Sequence, residues 1–182
     1  MLKQFLFVFI SSLLFLSFAK KHTGDYIPWS EERKLTWDDF LADAPTNTGD
    51  AALTTTYVGF SFSRNRDGIS YTIECKFQKS KSWGRVKTDY ILKHEQGHFD
   101  IAEIFARKLN KEIKGYLAKS NNHEGMNSIY SRLMQEKRDM QELYDSATNH
   151  SINKTRQSEW NKTIDDLLNE LLPYKNYSSP AL

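Results

Sequence analysis

Apolar and polar residues alternate along two stretches near the middle of the chain, then give way to a three- and four-residue rhythm that lasts almost to the end. Between Ala51 and Ser63, Val58, Phe60 and Phe62 alternate with Tyr57, Gly59, Ser61 and Ser63. From Ile69 to Phe77 the odd positions Ile69, Tyr71, Ile73, Cys75 and Phe77 are aromatic, aliphatic or thiol. A period of two places each apolar set on one face of a strand. Asn65, Arg66, Asp67 and Gly68 join the runs with turn chemistry, and Gly68 accepts positive φ, so the pattern predicts a β-hairpin.

After the loop Ser80–Gly84 the rhythm becomes helical. One long helix is expected over Val86–Lys119, free of proline. A second, over Glu124–Ala147, carries Met126, Ile129, Leu133, Met140, Leu143 and Tyr144 at helical spacing, which builds an apolar stripe. Ser120, Asn121, Asn122 and His123 connect the two. A third helix, Lys154–Leu172, uses Trp160, Ile164, Leu167, Leu168 and Leu171, and Pro173 stops it. Upstream, Lys20–Trp29 reads as an extended entry segment and Leu35–Leu41 as a short helical turn ended by Pro45, Asn47 and Gly49. The expected fold class is α+β: a small antiparallel β-sheet followed by a long helical hairpin and a C-terminal packing helix.

Residues 1–19 fit neither element. Lys3 precedes an apolar run from Phe5 to Phe18, and Ser17 and Ala19 are the small residues of a cleavage site. This is the layout of a secretory signal peptide, and about 14 apolar residues fall short of the ~20 that span a bilayer. The expected organisation is therefore a signal peptide over 1–19 and one domain over 20–182, secreted or periplasmic, with no stable membrane insertion after cleavage. With 25 Lys+Arg against 23 Asp+Glu, the net charge of +2 offers no basic field for nucleic acid. The single cysteine excludes both an internal disulfide and a zinc site built of several thiolates. A transition metal would need imidazole and carboxylate, and burial in a strand accounts for Cys75.

His94-Glu95-Gln96-Gly97-His98 lies inside the first long helix. Four residues correspond to about 40° of net rotation, so both imidazoles can reach one metal ion. Glu95 is set about 100° from His94, where its carboxylate can reach a water beside the metal without occupying the metal. Ile101 and Phe105 lie within about 20° of His94, so the metal-facing side continues into the core. Glu103 is about 180° away and Asp100 about 120° away, which removes both from the ligand set.

The third ligand follows from topology. An antiparallel hairpin turning near Asn121 sets His98 beside Tyr144 and His94 beside Thr148, delivering Tyr144–His150 to the metal. His123 stays at the far end. His150 and Asp145 are the ligands this segment offers. Imidazole suits zinc and favours His150, and Asp145 then orients a histidine from behind. Tyr144 either packs in the hairpin or donates to a developing oxyanion.

Leu92–Glu103, which contains HEQGHFDIAE, resembles the signature of the bacterial family called domain of unknown function 922, described as predicted secreted zinc-dependent proteases. Leu35–Phe40 resembles the family's entry motif, Ser82-Trp83 a recurrent pair, and Tyr144–His150 with Gln157 and Trp160 its downstream motif, the likeness covering nearly the whole chain after the leader. Ser151 stands where the family is expected to favour glycine. The resemblance, the helix and the spacing together imply a zincin-like active-site helix and a secreted metallopeptidase acting on a peptide or protein substrate. In that expectation Zn²⁺ is held by His94, His98 and His150, with Glu95 as general base. An edge strand over Ile69–Phe77 is expected to align an extended substrate. The alternative is a secreted, non-catalytic binding or structural module fastened by zinc, for which Glu95 has no use.

Overall fold

A computed structural model describes residues 24–66, 68–120 and 122–179. The expected signal peptide and the turn residues Asp67 and Asn121 lie outside them. The order of elements is β1 (Tyr26–Pro28), β2 (Ala52–Leu53), β3 (Thr56–Asn65), β4 (Gly68–Gln78), β5 (Trp83–Gly84), α1 (Asp89–Leu117), α2 (Met126–Thr148), α3 (Lys154–Glu170) and β6 (Ser178–Ser179). This is the expected α+β architecture, a small antiparallel sheet followed by three helices.

The hairpin β3–β4 forms in the register that the alternation requires, from Thr56 opposite Phe77 to Asn65 opposite Gly68, whose φ of 130° is open to glycine. Tyr71, Ile73, Cys75 and Phe77 are all buried against the helices. β4 is an interior strand: β3 pairs with one side, and β1 and β6 pair end to end with the other. The expectation that Ile69–Phe77 is an edge strand is therefore wrong, because the entry segment and the C-terminal segment cover that edge.

The expected strand Ala51–Ser63 breaks in two at Thr54–Thr55. Ser82, fully buried, causes the break: its hydroxyl accepts from the Thr55 amide at 2.9 Å and donates to the Gln78 carbonyl at 2.7 Å. β2 thereby leaves the main sheet and pairs with β5, Leu53 opposite Trp83. This Ser82-Trp83 pair sets β2 beside the N-terminal half of α1.

α1 begins at Asp89, three residues later than the apolar rhythm suggests, because the Thr88 hydroxyl accepts from the Ile91 amide at 3.2 Å and caps the helix there. Every residue from Phe99 to Arg107 is buried, so this helix is the centre of the fold, between the sheet on one side and α2 and α3 on the other. Several of its buried polar residues meet specific partners. Glu103 accepts from Arg107 Nε at 2.8 Å and from the Tyr177 hydroxyl at 2.9 Å. Asp100 is buried rather than on the surface, accepting from Trp29 Nε1 at 2.7 Å and Gln96 Nε2 at 2.8 Å. Gln96 also accepts from the Leu35 amide at 2.9 Å, so the entry segment docks on the back of the His94–His98 turn. Cys75 is a free thiol buried in β4. No helix among the described residues is long and apolar enough to cross a membrane.

Candidate metal centre

His94 and His98 stand one turn apart on α1, and Asp145 reaches them from the last full turn of α2. Asp145 Oδ1 lies 3.1 Å from His94 Nε2 and 3.0 Å from His98 Nε2. A nitrogen and an oxygen sharing a tetrahedral zinc at bonds of about 2.0–2.1 Å stand about 3.4 Å apart, so the spacing is of the right order. Among the described residues, these three side chains form a group whose ligand atoms all lie within 4.8 Å of one another.

The protonation of both rings is set from behind. His94 Nδ1 faces Gln157 Oε1 at 2.8 Å, and His98 Nδ1 faces Gln141 Oε1. The amide orientations are fixed by backbone carbonyls, which can only accept. Gln141 Nε2 donates to the His98 carbonyl at 2.9 Å. Tyr144 donates its hydroxyl proton to the His94 carbonyl at 3.2 Å, so that oxygen must accept from Gln157 Nε2. Both glutamines consequently present oxygen to Nδ1–H, and both Nε2 lone pairs point at Asp145. Two imidazole nitrogens and a carboxylate oxygen converging on one point suit a shared proton or a metal cation, and these donors fit a zinc ion. Replacing Gln157 by Leu, which leaves Nδ1–H of His94 without its acceptor, is expected to weaken zinc binding about 10- to 100-fold in a chelator competition.

Burial works against charge on both sides of the cluster, but the pairing outweighs it. The two imidazoles hold the Asp145 carboxyl well below the usual carboxylate range, and Asp145 in turn raises the His98 pKa. Tyr144 is fully buried beneath the pair, stacked on His94 at 4.6 Å between ring centroids and edge-on to His98 at 5.0 Å. It braces the ligands; its hydroxyl is consumed by His94 and Gln157. Gly97 makes this possible, since a Cβ there would collide with the Tyr144 hydroxyl oxygen.

Glu95 is buried beside the cluster, and its Oε2 has no hydrogen-bond partner among the described residues. Burial raises its pKa above the ordinary carboxylate value, against the opposing pull of His98 and His94. A carboxylate poised nearer neutrality is suited to exchange protons. A cavity of about 430 Å³ opens over these groups, walled by residues 50–56 on one side and by α2 on the other.

The structure thus brings together His94, Glu95, His98 and Asp145. His150 lines the same cavity but is exposed, outside the converging group, and no described residue hydrogen-bonds its ring. α2 ends in a Schellman turn, the Asn149 and His150 amides donating to Ser146 and Asp145 carbonyls at 3.3 and 2.9 Å. Asn149, His150 and Ser151 then stand in succession at φ of 48°, 50° and 71°. The conformation is held by the Tyr90 hydroxyl on the Ser151 carbonyl at 2.6 Å and the Asn153 amide on the Thr148 carbonyl at 2.8 Å. Ser151 in the left-handed region explains the expectation of glycine there. Ser151→Gly is expected to stabilise the fold by about 0.5–1 kcal/mol, raising the melting temperature by about 1–4 °C in calorimetry.

Gln141 carried no sequence expectation, although it lies one turn before Asp145 on the same face of α2 and so meets His98 by spacing alone. His123, at the far end of the hairpin, packs against Phe62.

Residues 43–151 match the family described as a bacterial protein of unknown function, DUF922. The chain belongs to this family. The DUF922 span contains β2 to β5, α1 and α2, hence all four converging residues, and is narrower than the near-complete likeness expected: Leu35–Phe40, Gln157 and Trp160 fall outside it. No curated protein and no solved structure matches the chain.

Proposed function

We propose that this DUF922 protein is a zinc-dependent peptidase that hydrolyses peptide bonds, exported by a signal peptide over residues 1–19. The observation that carries the reading is the convergence of His94, His98 and Asp145 at the floor of an open cleft beside a buried carboxylate with an unpartnered oxygen. His94 and His98 would hold the ion through Nε2 and Asp145 through Oδ1. A zinc ion bound there would polarise a carbonyl and acidify a water. Glu95 accepts the proton of the attacking water and returns it to the leaving amine, a role its raised pKa favours. Among the described residues β2 pairs only with β5, and it lines the cleft, so it replaces β4 as the strand available to hold an extended substrate.

Three protein donors under an open cavity favour catalysis over a zinc clip, which would be closed by a fourth protein ligand. Protein purified without added metal is expected to carry about one zinc per chain and to cleave members of a mixed peptide pool. A chelator abolishes the cleavage and added zinc restores it. Stoichiometric zinc with no cleavage refutes the peptidase; absence of zinc refutes both it and the zinc-fastened module.

A further inference from the structure

The cleft does not end at the metal centre. Along α2, Asp145, Gln141 and Lys137 succeed one another at four-residue spacing and so share one face. At Lys137 and Arg138 the cavity meets a second one of about 470 Å³, which is lined by the same two residues and Thr56 and continues past Tyr57, Tyr130 and Met134. The two form one groove running from the metal centre to an aromatic end, where Tyr130 stacks on Phe60 at 5.7 Å and donates its hydroxyl to the Val58 carbonyl.

The cations at this junction are unlike their counterparts elsewhere. The other arginines on the three helices, Arg107, Arg132 and Arg156, each meet a carboxylate. Arg138 donates instead to the neutral Gln135 amide oxygen. Lys137 is half-buried, and its ammonium donates to the Thr56 hydroxyl at 3.3 Å. No described carboxylate forms an ion pair with either; of the four acids lining the cleft, Asp50, Glu142, Glu95 and Asp145, none bridges to them, the last two lying at the metal-centre end. Burial, with the like charge of Arg138 beside it, holds the Lys137 pKa down, a cost that an arriving anion would relieve.

We infer that Lys137 and Arg138 receive a carboxylate of the substrate, making the preferred substrates extended peptides that carry an acidic side chain or a free C-terminus at that distance from the cleaved bond. Eight residues of helix separate Lys137 from Asp145, about 12 Å. An extended peptide advances about 3.3 Å per residue, so the carboxylate belongs three or four residues from the scissile bond. This inference rests on the peptidase reading.

The test is binding of dye-labelled short peptides to the zinc-loaded protein carrying Glu95→Gln, read by fluorescence anisotropy. Within each set the peptides differ in one Glu or Gln walked along the chain, and in a free or amidated C-terminus. A carboxylate at the right place is expected to tighten binding about tenfold. Glu over Gln identifies a side-chain acid, and free over amidated identifies the C-terminus. Lys137→Met combined with Arg138→Gln removes the difference, and Lys137→Met alone reduces it if the double variant melts early. Zinc-loaded protein that binds acidic and neutral peptides alike, or whose preference survives both variants, overturns this inference and leaves the peptidase reading standing. Protein that takes up no zinc overturns that reading, and this one with it.

Discussion

Asp145→Ala is expected to lower zinc affinity by more than about a hundredfold, while His150→Ala leaves it within a few-fold of wild type. Loss of a group that hydrogen-bonds the back of a ligand costs about 10- to 100-fold, and a directly bound carboxylate contributes more than such supports. Asp145 Oδ1 is within 3.1 Å of both imidazole nitrogens, whereas the His150 ring stands apart on the cavity wall. Competition titration against a fluorescent zinc chelator measures both variants. The opposite ranking would mean that the Asn149–Ser151 turn swings inward to bind metal, restoring the imidazole that ligand chemistry favours.

The same cluster gives a pH dependence with a definite sign. In the metal-free protein, Asp145 has its pKa depressed, so its contribution to stability is present above about pH 3.8 and disappears as pH falls. His98 has its pKa raised, so its contribution is full below about pH 6.5 and is lost as pH rises through the folded value. The metal-free pair is thus most stabilising in the mildly acidic range. Zinc must displace the His98 proton, so the gain in melting temperature on adding zinc grows from pH 6 to pH 8.

The hairpin β3–β4 and the three helices were legible because each repeats a pattern over many residues. Reflection of α1 onto α2 also brought Tyr144 and Asp145 to the right place, since two antiparallel helices advance by the same rise per residue. Choosing between Asp145 and His150 was not legible. Helical phase aims Asp145 at His98, but α2 stops at Thr148, and beyond it three left-handed residues set the direction of His150 independently of any period. The separation of β2 from the hairpin and its pairing with β5 leave no signal in the sequence, because two residues cannot display alternation. The interior place of β4 has no local signal, because β1 and β6, which flank it, come from opposite ends of the described chain. The tautomers of His94 and His98 depend on Gln157 and Gln141, each held by a backbone carbonyl or by a tyrosine bound to one, a relation that exists only in three dimensions.

Glu95→Gln is the substitution that separates chemistry from architecture. It keeps the shape of the side chain and removes its capacity to take a proton, so peptide hydrolysis is expected to fall by about 10²- to 10⁴-fold with zinc content unchanged. Stability should move the other way or not at all. Burial raises the Glu95 pKa, which means the native state holds its proton more tightly than the unfolded chain. Its contribution to stability therefore falls as pH rises from about 4.5 through the folded value. At pH 7 the zinc-free wild type bears either a buried carboxylate with an unpartnered oxygen or the cost of keeping that group protonated, and the glutamine variant bears neither. The variant should melt at or above the wild-type temperature at pH 7. If Glu95 were a structural support of the helix instead, its replacement would lower the melting temperature and leave no separate loss of turnover. Inactivity combined with undiminished stability is the pattern of a group retained for its proton and tolerated by the fold, and calorimetry beside a cleavage assay on one preparation reads both.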